Sequence, residues 1–374
     1  MTKIFLIRHA EAEGNIFRRA HGHVNGQIIG RGFKQIELLG ERFAAEKIDA
    51  VYSSDLTRAF ETASAISKPR DLPVNTMTEL REVMMGEWED NAWGDLEYYI
   101  PEMVGLFSND PALWRVKDGE DYGSVVSRMT GCLEKIGRCH EGGTVAVVSH
   151  GFAIRSLTCS ILGIPSSETS SVPYCDNTAV ALLLYNAGNL SVEFQRDNSH
   201  LQSDTSTFAN QTWWRKKGEL KPENLRYMPV DPRRDKELLG SIDNDILSDA
   251  CTYKGYKEYT AILNDEPVGI VGLSENVEKK VESGSGGLDT AFEENESSTG
   301  WICYLYVKPM HRGKNYGVQL LGQAISELRK LKRESLRICV PAGSFAIEFC
   351  KRYEFTVIGE SGPDCLMEKN IKIW

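Results

Sequence analysis

No stretch of this chain approaches the roughly 18 consecutive apolar residues that a membrane-crossing helix needs. The expectation is therefore a chain with no membrane partner. The N-terminus offers one lysine and then only Ile4–Ile7 as a strongly apolar run, too short for the core of a secretory signal. Cysteine pairs of the C-x-x-C type are also missing. Nine cysteines are scattered over 374 residues. An odd, unpatterned set reads as reduced thiols, so the expected location is cytoplasmic. Positive charge is scarce as well: 43 Lys and Arg stand against 53 Asp and Glu, a formal net charge of −10. Residues 1–212 hold 19 basic and 28 acidic groups, which is −9, and the remainder holds 24 and 25, which is −1. Without a basic stripe, nucleic acid is disfavoured as a partner. An anionic small molecule is admissible where positive groups cluster locally. No internal repeat relates the two halves.

What is present is an ordinary globular composition, 41% hydrophobic and 26% charged, long enough for two domains. Apolar runs alternate with amphipathic segments. "KIFLIR" (3–8) precedes a periodic stretch at 33–47, "IDAVYSS" (48–54) precedes 55–67, and "GGTVAVVSH" (142–150) precedes 151–163. Two late runs, 178–186 and 190–197, flank a turn. Continuous Val, Ile and Leu between helices predicts a mainly parallel, doubly wound sheet. The pattern breaks near 213–224, where charges accumulate around Pro222, and this predicts a linker at 213–223. Domains are therefore expected at 1–212 and 224–374. In the second, "EYTAILNDEPVGIVGLSE" (258–275) predicts a hairpin. Strands follow at 301–309 and 335–342, with a long helix at 316–333 between them. Residues 276–300, rich in Gly, Ser and Glu, predict a flexible acidic loop.

Three strand ends in the first half carry similar chemistry: Arg8-His9, Asp55-Leu56-Thr57-Arg58 and His150-Gly151. Ligands of open α/β sheets sit beyond the carboxyl ends of the strands. Guanidinium forks suit phosphate oxygens. A neutral imidazole can serve as a nucleophile, and helix N-termini favour anions. Glu82, the first carboxyl of "LREVMMGEWED", suits a proton donor to a leaving group. His21 and His23 read as loop residues and no metal is expected, because no third ligand motif accompanies them.

Taken together, "RHAEAEGN", "SSDLTRAFETA", "ELREVMMGEWE", "GEDYGSVVSRM", "VSHGFAIR" and "NSHL" resemble the histidine phosphatase (phosphoglycerate mutase-like) superfamily over about residues 1–205. The resemblance implies a three-layer, doubly wound phosphoglycerate mutase-like domain. It implies His9 as the phosphorylated nucleophile, with Arg8, Arg58 and His150 holding the phosphoryl oxygens. Asn15 and Gly151 stand beside them, Glu82 donates the proton, and His21-Gly22 lines the way in. Ala10 departs from the family's usual Gly. Mutase members carry extra basic residues after the proton donor, whereas residues 88–118 here hold only Arg115 and Lys117 beside seven acidic residues. Six aromatics (Trp88, Trp93, Tyr98, Tyr99, Phe107 and Trp114) share that segment. The expectation is a phosphomonoesterase for a small phosphorylated metabolite with an apolar or cationic body, the aromatics being mostly cap core. The alternative is a mutase.

The second half resembles the GNAT acyltransferase superfamily over about 224–374, through "WICYLYVKPMHRGKNYGVQLL" and "AGSFAIEFCKRYEF". The resemblance implies an α/β domain with a mixed sheet that takes acetyl-CoA as co-substrate and an amine as acceptor. Leu305, Tyr306, Val307, Arg312, Gly313, Lys314, Asn315, Tyr316 and Gly317 occupy the cofactor-binding positions. Asn315 stands where Gly is usual, and Asn tolerates positive φ. Cys350 stands at the usual Tyr position, which makes Tyr353, a helical turn away, the candidate acid. Strand 301–307 has no acidic residue to act as base. A domain that only senses acyl-CoA is the alternative. The sequence sets no oligomeric state.

Overall fold

The computed structural model describes residues 1–211, 224–242, 251–279, 298–361 and 364–373. The chain forms two compact units. The first comprises Met1–Asn15, Ala20–Asn91 and Leu96–Lys221, and the second comprises Ile16–Arg19, Ala92–Asp95 and Pro222–Trp374. The expected linker at 213–223 lies outside the described residues.

The N-terminal elements run β1 (Thr2–Arg8), α1 (Glu13–Phe17), α2 (Arg31–Phe43), β2 (Ala50–Ser53), α3 (Thr57–Ser67) and β3 (Val74–Thr76). Helices α4 (Trp93–Tyr99), α5 (Pro101–Asn109) and α6 (Tyr122–Cys139) follow, then β4 (Thr144–Ser149), α7 (Gly151–Ile161), β5 (Val180–Asn186) and β6 (Asn189–Asp197). The sheet order is β3-β2-β4-β1-β5-β6. The first four strands are mutually parallel, and β5 and β6 are antiparallel additions.

The continuous apolar runs have a simple cause, since both faces of the central strands are covered. Phe5, Ile7, Ala146 and Val148 pack with Leu39 and Phe43 of α2 and with Ala59, Ala63 and Ile66 of α3. Leu6 turns the other way, towards Ile154 and Thr158 of α7. Fully burying a side chain such as Ile7 or Val148 stabilises the fold by about 1.5–3 kcal/mol. Three layers result. Strands β2, β4 and β1 are neighbours, so their carboxyl ends emerge side by side.

The second unit contains β7 (Arg226–Pro229), α8 (Lys236–Leu239), β8 (Cys251–Leu263), β9 (Glu266–Lys279), β10 (Thr299–Val307) and α9 (Tyr316–Lys330). It closes with β11 (Ser335–Pro341), α10 (Phe345–Arg352), β12 (Thr356–Ser361) and β13 (Asp364–Asn370). Its order is β12-β13-β11-β10-β9-β8-β7. Only β10 and β11 are parallel in this mixed sheet. Helix α9 covers one face, with Leu320 near Gly269 and Leu328 near Gly300. Leu238 of α8 joins Ile270, Trp301, Tyr304 and Tyr306 on the other.

The hairpin is longer than the sequence suggested. Asn264 and Asp265 at its tip both take positive φ, 50° and 64°, the primed turn that matches strand twist. Pairing extends back to Cys251↔Lys279. The expected loop 276–300 is therefore corrected at both ends: Asn276–Lys279 continue β9, and Thr299-Gly300 begin β10. Backbone pairing with β8 overrides the polar composition there. Residues 280–297 lie outside the described residues.

Candidate active sites

The first site is built where β1 and β4 end. The His9 amide donates to the Ser149 carbonyl at 2.9 Å, and the Ser54 amide donates to the Val148 carbonyl at 3.0 Å. These bonds hold the three strand ends level. His9 and His150 then lie with ring centroids 5.0 Å apart, and both are almost fully buried. His9 Nδ1 is 2.7 Å from the Ala10 carbonyl oxygen. A carbonyl only accepts, so Nδ1 carries the proton and Nε2 keeps its lone pair. Burial, then Arg58 and Arg8, holds the His9 pKa well below the ordinary imidazole value. His150 is held down by burial, Arg58 and His9.

Arg8 donates through one terminal nitrogen to the Cys175 carbonyl at 2.6 Å. Arg58, on the first turn of α3, donates to the carbonyls of Val24 and Gly22, each at 2.8 Å. Burial lowers the Arg58 pKa to about 10, which leaves it charged at neutral pH. Four buried nitrogens at this site have no hydrogen-bond partner among the described residues: Arg8 Nε, Arg58 Nε and both ring nitrogens of His150. Buried polar groups are ordinarily satisfied, and this cluster of donors is suited to an anionic ligand. Gly151 opens it, because a Cβ there would stand 3.2 Å from Arg8 Nε.

Glu82 is seated at the start of α7. Its Oε2 accepts from the Phe152 amide at 3.0 Å, and its Oε1 accepts from Ala153 at 2.9 Å and Val83 at 3.0 Å. Asn15 Oδ1 accepts from the Ala12 amide at 3.0 Å, so its amino group is what it can offer an anion. His21 is half-buried. Its ring fits between Gly14 and Gly26, and Nε2 accepts from the Gly14 amide at 2.9 Å. Gly22 contributes its carbonyl to Arg58. Ala10 is accommodated: its methyl joins a small apolar cluster with Ala12 and Ile28, and its amide donates to Thr62 Oγ1 at 2.9 Å.

Half of the cap aromatics are core, fewer than expected, and Trp93 is half-buried. Trp88, Phe107 and Trp114 are buried against one another and against Phe152, while Tyr98 and Tyr99 are exposed. Sequence reasoning missed other groups. Asn177 donates to the His9 carbonyl at 2.8 Å. Tyr174 lies under the Arg155 guanidinium at 4.4 Å, and its hydroxyl pKa is raised by burial, with Glu82 and Arg8 among its electrostatic neighbours. Their signal was "YCDN" just before β5, a turn with no family motif attached.

The neutral histidines predict a pH-dependent stability. An unfolded chain binds protons as pH falls below about 6.5, whereas folded His9 and His150 resist them. Stability is therefore full above that value and lost as pH falls towards the depressed folded pKa values. Each group adds a slope of up to about 1.4 kcal/mol per pH unit. Denaturant melts between pH 7.5 and 5 should fall accordingly, and His150→Asn should flatten the slope. An unchanged slope in that variant would contradict the assignment.

The second site lies in the second unit. Strands β10 and β11 pair from Thr299↔Ser335 to Ile302↔Ile338 and then part. Beyond that point β10 stays with β9 as far as Val307↔Gly269, after a register shift between Ile302 and Tyr304. Strand β11 stays with β13. A wedge opens along Leu305, Tyr306 and Val307. Next comes the turn before α9. Gly313 has φ 73° and open space where a Cβ would be. Asn315 caps the helix at φ 62°, the left-handed conformation that Asn tolerates. Arg312 Nε donates to the Val307 carbonyl at 2.9 Å, and its guanidinium lies 5.6 Å from the Tyr306 ring. Tyr316 is buried. Gly317 admits Phe349 of α10, on which Tyr353 packs. Cys350 is buried, and burial pushes its thiol up to about 12.

The family model described as histidine phosphatase superfamily (branch 1) matches residues 4–198, just over half of the chain. The chain belongs to the histidine phosphatase superfamily. A second model, the acetyltransferase (GNAT) family, matches residues 220–355. A histidine phosphatase domain is thus followed by a GNAT domain. Phosphoserine phosphatase 1 of Hydrogenobacter thermophilus is 32% identical over 183 residues, covering 49% of this chain and 86% of that protein. Phosphoglycerate mutase-like protein 4 of Arabidopsis thaliana is 33% identical over 205 residues, covering 54% of this chain and 87% of its own length. Among solved structures, Bacillus stearothermophilus YhfR matches with a TM-score of 0.52 at 29% identity, covering 54% of this chain and 100% of that one. Each of these likenesses concerns the histidine phosphatase part. Among the described residues no helix is long and apolar enough to cross a membrane, and no group of three or more His, Cys, Asp or Glu could hold a metal ion.

Proposed function

We propose that the histidine phosphatase domain hydrolyses phosphomonoesters through a phosphohistidine on His9. One observation carries this: four unpartnered buried nitrogens surround a nucleophile whose tautomer is fixed by the Ala10 carbonyl. His9 Nε2 attacks phosphorus while Arg8, Arg58 and His150 hold the phosphoryl oxygens, with the Asn15 amino group beside them. The P–O bond breaks, and the leaving oxygen takes a proton from Glu82. Water then attacks the phosphohistidine, Glu82 recovers the proton from it, and phosphate leaves.

Hydrolysis is favoured over phosphoryl shuttling by the poverty of cations after Glu82. Arg115 is exposed and folds back on the carbonyls of Ala112 and Trp114, which leaves Lys117 as the remaining basic residue of 88–118. The test is a phosphate-release screen of the full chain with O-phosphoserine, glucosamine 6-phosphate and 3-phosphoglycerate. Phosphate release should exceed any interconversion of 2- and 3-phosphoglycerate. Faster interconversion would instead make the domain a mutase.

For the GNAT domain we infer acetyl transfer from acetyl-CoA to an amine. The wedge along Leu305–Val307 and the open turn Arg312–Gly317, with Lys314 on its rim, fit an extended thioester ending in a pyrophosphate. Calorimetry with acetyl-CoA and thiol release with an amine panel test the two halves of that statement. Tight binding without turnover would leave a sensing module, a reading that the burial of Cys350 favours.

A further inference from the structure

Acetyl transfer to an ammonium needs a proton acceptor, and β10 supplies no acidic residue of its own. A carboxylate reaches it nonetheless. Tyr304 follows the register shift at the point where β10 leaves β11. Its hydroxyl donates to Oε1 of Glu258 on β8, two strands away.

The register explains the meeting. Glu258 and Tyr304 both pair with Gly272 of β9, so the three residues form one row on one face. Neighbouring strands are about 4.8 Å apart, so a tyrosine can span the middle strand only where that strand has no side chain in the way. A Cβ on Gly272 would stand 2.6 Å and 2.7 Å from Cε1 and Cζ of Tyr304. The ring therefore lies across the glycine. Other charged groups on this face are already engaged. Asp235 accepts from Thr260 at 2.6 Å and from Arg234, Glu237 pairs with Lys308 at 2.9 Å, and Arg312 donates to Val307.

We propose that Tyr304 and Glu258 are the proton-accepting pair for the acceptor amine, a statement that rests on the acetyl-transfer reading. The ammonium N–H bond breaks and its electron pair stays on nitrogen. That proton passes to Tyr304 Oη as the hydroxyl's own proton passes to Glu258. The nitrogen pair forms the C–N bond to the acyl carbon. The C–S bond then breaks with its pair on sulfur, which takes the second amine proton and leaves as a thiol. Glu258 afterwards returns its proton to water. Tyr304 meets the amine, and Glu258 acts through it as a positioning residue.

The experiment uses the full chain, acetyl-CoA, and glycine, tyramine, glucosamine and spermidine as acceptors, with thiol release followed from pH 6 to 10. For Glu258→Gln, kcat/KM at neutral pH should fall about 10²–10⁴-fold. The loss should shrink as pH approaches the amine's own pKa, where free amine needs no base. Acetyl-CoA affinity by calorimetry and phosphate release should stay at wild-type values, which reports folding. Tyr304→Phe should share that profile. Gly272→Ala, which keeps both side chains and moves the ring, should share it too. An unchanged pH profile in an active Glu258→Gln would overturn the pair alone, and so would loss of acetyl-CoA binding, which marks a structural role. A wild type that binds acetyl-CoA but acetylates none of the amines would overturn the acetyl-transfer reading and the pair with it.

Discussion

His9→Ala should reduce phosphate release from p-nitrophenyl phosphate by about 10⁴-fold or more, the order expected when a covalent nucleophile is removed. The loss should fall on chemistry and spare anion binding. Arg8, Arg58 and His150 are held by the Cys175, Val24 and Gly22 carbonyls and by α7, none of which involves the His9 ring. Vanadate or phosphate should therefore still protect the variant in thermal melts. Rapid alkaline quench with a radiolabelled phosphomonoester separates the two effects. Wild-type protein should retain base-stable, acid-labile label, and the variant should retain none. Label persisting on the variant would move the nucleophile elsewhere.

Glu82→Gln should show a dependence on the leaving group. With O-phosphoserine, whose alkoxide cannot depart unprotonated, turnover should fall about 10²–10⁴-fold. With p-nitrophenyl phosphate, whose phenolate leaves readily, the loss should be much smaller. Equal losses on both substrates would mean that Glu82 shapes the site without donating a proton. The substitution carries a local cost as well. Both carboxylate oxygens accept from backbone amides of Val83, Phe152 and Ala153. An amino group in place of one oxygen faces an N–H with another N–H. Leaving a buried donor unmet costs about 1–3 kcal/mol, so a lowered melting temperature should accompany the kinetic effect. Glu82→Asp, which keeps the acid, provides the control.

The elements of the first unit were legible because its central strands are buried on both faces and each ends at a polar break. Arg8-His9, Arg58 and His150 stand at or just beyond those breaks, and strand order brings them together. Their carbonyl partners could not be read. Gly22, Val24 and Cys175 contribute backbone oxygens, which any residue would carry. Asn177 is 168 positions from His9, and no local pattern links the two. The cap aromatics were ambiguous because the same side chains suit a pocket wall or a core. Their burial makes Trp88, Phe107 and Trp114 core. In the second unit, Asn315 was readable from its tolerance of positive φ. Glu258 was not, because its meeting with Tyr304 depends on a glycine that neither residue adjoins in sequence. The early start of β8 was hidden by polar residues that pairing with β9 tolerates.

The bond from His9 Nδ1 to the Ala10 carbonyl has a consequence for how this site can decay over generations. An orienting carboxylate could be erased by a single codon change, but a main-chain oxygen is present whatever residue is encoded. Drift at position 10 is filtered by size, through the small cluster with Ala12 and Ile28, and by the amide that Thr62 accepts from, which bars proline. The direction in which the His9 ring points is thus inherited with the main chain just beyond β1. A lineage losing the proposed activity by point mutation would do so through His9, the arginines or Glu82 before it lost that orientation.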